Sequence, residues 1–266
     1  MHPQSTPPIE WSVGIITNGD NNEMLLKSLA SIKAAREGHA EIIVLGGNRE
    51  ALGEFTSHVK HIEYNQEKRL RFPTKMMARK FWRRPRLSTL FVESGNISRK
   101  KNLIAKSASG SKLLLLHDYI CVNEDFFSSF QDVGDFDICV PQILNSDGGR
   151  FRDWTAWDHP AFNGEVGALL PYDMETPFYY ISGTVIIVDR DFFLENPLNE
   201  DLFWGYAEDV EWSLRVRDRA KLRKNFKAIL RSQKDKGNPL SDPGWARRTK
   251  LLEECMKSAS VGEHSG

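Results

Sequence analysis

At 266 residues the chain is long enough for one large domain or two small ones, and its 40% hydrophobic and 27% charged composition is that of an ordinary globular protein. Lysine and arginine number 36, as do aspartate and glutamate, so overall charge points to neither a nucleic-acid nor a membrane partner. Any electrostatic signal must be local.

After a proline-rich lead, WSVGIITNGDN predicts a strand over Ser12 to Ile16 that ends in Thr17, Asn18, Gly19 and Asp20. Leu25, Leu26, Leu29 and Ile32 then recur at helical spacing. AEIIVLGGN predicts a second strand from Glu41 to Leu45, stopped by Gly46 and Gly47, and strand, helix, strand opens a parallel α/β sheet. From Lys68 to Arg86 come nine basic residues and no acidic one, interleaved with Phe72, Phe81 and Trp82. NISRKKNLIAKSASG predicts a helix with Ile97, Leu103, Ile104 and Ala108 on its buried face. The run of leucines in KLLLLHDYI predicts a strand covered on both faces. VNEDFFSSF predicts a short helix, and FDICVPQIL a strand from Asp137 to about Pro141. Asn145 to Pro177 shows no period and reads as a long functional excursion bearing Trp154, Trp157, Asp158 and His159. YYISGTVIIVDRDFF predicts one strand, Val185 to Val188, and WGYAEDVEWSLR enters a helix with Ala207, Val210 and Leu214 on one face. Beyond Pro239 the chain turns polar and is expected to be loosely held.

Cys121, Cys139 and Cys255 have no metal-ligand spacing and are too few for a disulfide framework, which favours a reducing compartment. MHPQSTPPIEWS lacks a basic stretch followed by an apolar one, so no signal peptide is expected, and no window is apolar enough to cross a bilayer. The expected location is the cytoplasm, with peripheral contact to the inner face of a membrane through 68–86 left open.

Four groups of residues are candidates for chemistry. In sheets of this kind ligands bind beyond the carboxyl ends of the strands, where His117 and Asp118 stand. Asp118 suits a divalent cation shared with phosphates, with His117 as a second ligand; the alternative is that Asp118 caps a turn and His117 packs. Glu208 and Asp209 open a helix beside Trp204, Gly205, Tyr206 and Trp212, which suits a general base beside an aromatic wall; acidic residues also favour any first helical turn. The turns at Thr17, Asn18, Gly46, Gly47 and Asn48 suit nucleotide binding, and equally suit ordinary turn formation. Arg99, Lys100, Lys101 and Asn102 place cations beneath a phosphate site or form a solvent-facing stripe. The basic stretch suits an anionic partner or a solvated face. Neither a dinucleotide-binding nor a P-loop glycine pattern occurs.

The order of VGIITNG, EIIVLGGN, GNISRKKNLIAKSASGSKLLLLHDYI and FWGYAEDVEWSLRVR resembles a GT-A-fold glycosyltransferase, similar to family 2 inverting enzymes, from about Ser12 to Lys236. The resemblance implies an α/β, GT-A-like fold, that of nucleotide-diphospho-sugar transferases, with a mostly parallel central sheet and helices on both faces. It implies one catalytic domain over 9–240, a basic insertion at about 66–90 and a polar tail over 241–266. It also implies transfer of a sugar from a nucleotide-diphosphate sugar, a UDP-sugar first among them, to an acceptor hydroxyl in polysaccharide or glycoconjugate biosynthesis. Asp209 would be the general base and Glu208 would orient the acceptor. The donor would contact Thr17, Asn18, Gly46, Gly47, Asn48, Lys101, Asn102, His117, Asp118, Ser182 and Gly183. Mn2+ or Mg2+ would sit on Asp118 and His117, with Lys234 and Lys236 near the diphosphate.

Two departures accompany the resemblance. The turn after the second strand offers Asn48 where the family has an acidic residue, and HDY supplies one carboxylate where the family has two. A catalytically inactive module binding nucleotide or glycan is therefore the alternative reading, ahead of a nucleotidyltransferase and a nucleic-acid-binding protein. No nucleic-acid partner is expected, and the acceptor, glycan and lipid-linked compounds included, is left open.

Overall fold

The computed structural model describes residues 10–35, 40–65, 69–70, 91–92, 96–202 and 207–262, the side chains of 69–70, 91–92 and 257–262 excepted. Most of the basic stretch, with Phe72, Phe81 and Trp82, lies outside them, as do Trp204, Gly205 and Tyr206.

Eight strands form the central sheet: β1 (Trp11–Ile16), β2 (Ala40–Leu45), β3 (Lys60–Ile62), β6 (Lys112–His117), β7 (Ile120–Val122), β8 (Ile138–Leu144), β12 (Val185–Asp189) and β13 (Leu222–Ser232). Their spatial order is β3-β2-β1-β6-β12-β8-β13-β7. The pairs β3/β2, β2/β1, β1/β6 and β8/β13 are parallel, while β12 runs antiparallel to both its neighbours and β7 antiparallel to β13. A short pair, β4 (Arg69–Leu70) with β5 (Phe91–Val92), brackets the basic stretch. The remaining strands, β9 (Trp154–Ala156), β10 (Ala168–Leu169) and β11 (Tyr179–Ile181), make a three-stranded antiparallel sheet.

The leucine run is continuous because both faces of β6 are covered. Leu114 and Leu116 join the core on the side of helix α1 (Asn22–Ala35), with Leu25, Leu29 and Ile32. Leu113 and Leu115 join the core on the opposite side, with Ile104 and Ala105 of α2 (Asn96–Ser107) and Phe193 of α3 (Arg190–Glu195). Trp212 and Val216 of α4 (Glu208–Val216) and Leu252 of α5 (Pro243–Gly262) complete that second core. No helix among the described residues is long and apolar enough to cross a membrane.

Several sequence expectations are corrected. The excursion over Asn145–Pro177 holds β9 and β10, strands too short to show a period. YYISGTVIIVD forms two strands, β11 and β12, divided at Ser182–Thr184. VNEDFFSSF makes turns and one 3-10 turn at Ser128–Phe130. Strand β8 continues through Pro141, and the register of β13 against it shifts just after the Asn225 and Pro141 pair, in keeping with the preference of proline for bulges. Strand β13 itself, with its charged residues interleaved among Ala228 and Leu230, was not expected at all. Ala207 precedes its helix in a left-handed conformation, and the buried face of α4 is Val210, Trp212, Ser213 and Val216. The stretch beyond Pro239, expected to be loosely held, forms α5, with Arg248, Thr249 and Leu252 buried.

Gly14 in β1 lies directly beneath α2: a Cβ there would overlap Ile104 Cγ2 and stand 3.0 Å from Leu115 Cδ2. Overpacking of this kind costs roughly 1–3 kcal/mol. Gly14→Ala is expected to lower stability by about that amount in denaturant titration; a variant as stable as the parent would show that α2 is free to lift.

Candidate active site

The register of the parallel strands builds one wall. Ile16 of β1 lies beside Leu45 of β2 and His117 of β6, so the residues that follow, Thr17, Gly46 and Asp118, meet at one sheet edge. The Thr17 hydroxyl donates to Asp118 Oδ2 at 2.7 Å, and the Thr17 amide donates to the Leu45 carbonyl at 3.1 Å. Gly46 and Gly47 both have positive φ, and a Cβ on Gly46 would overlap the Thr17 carbonyl oxygen, so only glycine allows this close approach. Lys100 Nζ donates to the Thr17 carbonyl at 2.5 Å and to Asn18 Oδ1 at 2.7 Å, and lies 5.1 Å from the centre of the Tyr64 ring. Asn48 caps the next turn through the Glu50 amide at 3.0 Å.

Strand β12 runs antiparallel to β6, with Val185 opposite Leu116, which brings the Ser182–Gly183–Thr184 turn beside His117 and Asp118. Gly183 is where three elements meet. Its amide donates to Asp209 Oδ2 at 2.8 Å, and its carbonyl accepts from Lys101 Nζ. Asp209 Oδ1 also accepts from the Val210 amide at 2.9 Å, so backbone donors fix both carboxylate oxygens at the head of α4. Lys101 is fully buried; burial pushes its pKa down to about 8, against the opposing pull of Glu208 and Asp209. Burial first, then the charge of Asp209, raises the Glu208 carboxyl above the ordinary range, while Lys101 works the other way.

A cleft of about 370 Å³ opens here, with His117, Tyr119, Gly183 and Thr184 along one side and Glu208 and Asp209 at the helix start. Arg152, Trp157, Tyr180 and Trp245 form the other side. Trp157 meets Tyr180 edge-on at 5.4 Å, and the Arg152 guanidinium lies 4.9 Å from the Trp245 ring centre.

Of the expected site residues, the structure gathers His117, Gly183, Glu208 and Asp209 at the cleft, with Ser182 and Lys101 directly behind. Thr17, Asn18, Gly46, Gly47 and Asn48 form the adjoining turns. Asn102 is engaged within the chain: it bonds the Leu198 amide and carbonyl at 3.0 and 2.9 Å and Glu200 at 3.0 Å. Trp212, expected in an aromatic wall, is fully buried and donates to the Asn196 carbonyl at 2.6 Å. Of the four residues singled out in the excursion, Trp157 lines the cleft. Trp154 is core, Asp158 binds Arg217 through both oxygens, and His159 caps a 3-10 turn. Arg152, Tyr180 and Trp245 were missed because tertiary packing alone puts them there.

The expected divalent cation on His117 and Asp118 does not match this donor set. Among the described residues no group of three His, Cys, Asp or Glu side chains could hold a metal ion. Asp118 turns inward to Thr17 and does not line the cleft; His117 and Tyr119 do. Burial, then the charges of Lys101 and Lys236, hold the His117 imidazole well below its ordinary pKa, and Lys234 adds to this. Positive charge from Lys101, Lys234 and Lys236 thus surrounds the His117 side of the cleft, while Glu208 and Asp209 stand at the helix start.

No protein-family model matches the chain, and no curated protein sequence matches it. Among solved structures it is similar to GalNAc-T7 with UDP, GalNAc and Mn2+, at 16% identity and a TM-score of 0.56, over 85% of this chain and 44% of that one. It is also similar to S. aureus TarS 1–349, at 13% identity and a TM-score of 0.53, over 88% of this chain and 61% of that one. The same TarS segment in complex with UDP-GlcNAc gives 14% identity and a TM-score of 0.52. The chain thus spans less than two thirds of these structures. Both proteins are glycosyltransferases with GT-A-like folds, and that fold, expected from the sequence, is the fold of this chain.

The raised Glu208 pKa has a consequence for stability. The folded state holds this proton more tightly than the unfolded chain, so the contribution is present below the ordinary value of 4.5 and lost as pH rises through the folded value. Glu208→Gln is therefore expected to match the parent near pH 4 and to exceed it in stability at about pH 8. A difference that stays constant between the two pH values in denaturant titrations would show that Glu208 is not desolvated.

Proposed function

We propose that the chain is an inverting glycosyltransferase that moves a sugar from a nucleotide-diphosphate sugar to an acceptor hydroxyl. The observation that carries this reading is Asp209, whose carboxylate is fixed by backbone amides of Gly183 and Val210 at the edge of a cleft with an aromatic far wall. The GT-A-like fold supports it, as do UDP, UDP-GlcNAc and GalNAc in the similar structures.

In this reading the nucleotide lies against the turns at Thr17–Asn18 and Gly46–Asn48, and its sugar beside Ser182 and Gly183. Trp157, Tyr180 and Trp245 offer apolar faces to the acceptor, a sugar ring by preference. The acceptor oxygen forms a bond to the anomeric carbon from the face opposite the phosphate. The bond from that carbon to the phosphate oxygen breaks, and its electron pair stays with the departing diphosphate. Asp209 takes the hydroxyl proton, and the attack from the opposite face inverts the anomeric configuration. Glu208, whose pKa is raised, orients the acceptor as hydrogen-bond donor or acceptor according to pH. Asn102 serves indirectly by tying Leu198 and Glu200, which lead toward Glu208, to α2.

A nucleotide or glycan binding module without turnover is the second reading, favoured by the inward turn of Asp118. The two separate by experiment. UDP, GDP, CMP and dTDP are screened for thermal stabilisation, since a ligand of the native state raises stability by mass action. The matching sugar nucleotide is then assayed for donor turnover. Asp209→Asn is expected to lower turnover by about 10²–10⁴-fold while nucleotide affinity moves less than about twofold. Turnover equal to the parent's would remove Asp209 as base, and binding without turnover in the parent would favour the binding module.

A further inference from the structure

The HDY turn and the segment after β13 face each other, and that juxtaposition brings positive charge to the Tyr119 side of the cleft. Ser232 of β13 pairs with Ile120 of β7, so the next residue, Gln233, meets Tyr119 and donates its amide to the Tyr119 carbonyl at 2.8 Å. The Gln233 side chain donates to the Met24 carbonyl at 2.8 Å and to the Ser28 hydroxyl at 3.1 Å, which fixes this end of the segment to α1. The other end is held by Asn145, whose side-chain amide donates to the Gly237 carbonyl at 3.1 Å. Between these anchors Asp235 accepts from the Gly237 amide at 2.7 Å.

The segment held at both ends carries Lys234 and Lys236 to the Tyr119 ring. Their ammonium groups lie 4.7 and 4.3 Å from the centre of the Tyr119 ring, a residue that lines the cleft. Among the described residues neither ammonium has a carboxylate oxygen within 4.0 Å, and the one carboxylate whose charge reaches Lys236 is that of Asp118. Two cations held close to one aromatic ring repel each other, and an anion between them and the cleft would relieve that repulsion.

We infer that Lys234 and Lys236, carried on the Gln233–Gly237 segment across from His117 and Tyr119, bind the diphosphate of the donor and take the place of a divalent cation in its departure. This rests on the transferase reading above. When the bond to the anomeric carbon breaks, the electron pair left on the phosphate oxygen adds one negative charge to the diphosphate. Fixed ammonium groups stabilise such a charge as it develops, as a bound metal does elsewhere. Asp118 then has a structural duty, holding the β1 and β6 ends together through Thr17.

Calorimetric titration tests the inference, using UDP, GDP and dTDP with their monophosphates UMP, GMP and dTMP, in excess EDTA and again with Mn2+ or Mg2+. Lys234 is half-buried and Lys236 exposed, so Lys234→Ala/Lys236→Ala and the single Lys236→Ala should keep the parent's unliganded melting temperature. The expected result is a diphosphate affinity in EDTA within about threefold of that with metal. The double variant should lose about tenfold or more toward the diphosphate and less than about threefold toward the monophosphate. A diphosphate affinity that collapses in EDTA overturns the inference and leaves the transferase reading standing. An unchanged affinity in both lysine variants does the same. Absence of binding by every diphosphate, with and without metal, overturns the inference together with the reading it rests on.

Discussion

The site hangs on the backbone of one residue, Gly183. Its carbonyl receives the ammonium of Lys101, a fully buried cation from α2, and its amide holds the carboxylate of Asp209 at the start of α4. Burying a lysine is costly unless its charge finds hydrogen bonds and opposite charge, and here the carbonyl and the acidic pair provide both. Three elements far apart in sequence are thereby locked to a common point. Space for a side chain is tight as well, since a Cβ on Gly183 would stand 3.1 Å from Asp209 Cβ.

The turns beyond β1, β2 and β6 are held for a different reason. Parallel strands in register end at the same level, so the turns after β1, β2 and β6 come together without any long side chain to guide them. Thr17 then links all three: its hydroxyl to Asp118, its amide to Leu45, and its carbonyl to Lys100. A surface of backbone groups and small polar side chains results, suited to a planar polar ligand more than to an apolar one.

What the sequence made legible follows the strength of local patterns. Strands β1, β2 and β6 were readable because their apolar runs stop abruptly at glycine or polar residues. β13 was not, because lysines and arginines alternate with its buried residues and a register shift breaks the period. The strands of the small sheet, two or three residues each, carry no period to read. Glu208, Asp209 and His117 stand out as polar residues at strand and helix ends, whereas Gly183 enters through the family resemblance; the structure brings all four to one cleft. The inward turn of Asp118 does not stand out, because its partner Thr17 is 101 positions away. Alternation along β6 did contain a clue: His117 falls on the face of Leu113 and Leu115, toward α2 and its lysines.

The aromatic wall has a mixed origin, since Trp157 and Tyr180 belong to the small sheet and its flanks while Trp245 comes from α5. That helix docks through Arg248 to the Gly167 carbonyl at 2.7 Å, through Thr249 to the Leu169 amide at 3.0 Å, and through Glu165 to Arg247 and Arg248. Gly167, at positive φ, leaves room for the indole: a Cβ there would lie 2.6 Å from Trp245 Cζ2. None of these contacts reaches β1, β2 or β6. Cooperative units open in order of their own stability, and a peripheral helix opens before a sheet buried on both faces. Undocking of α5 alone would thus strip Trp245 from the cleft while leaving the turns after β1, β2 and β6 in place, so amide exchange in α5 reports on the integrity of the aromatic wall.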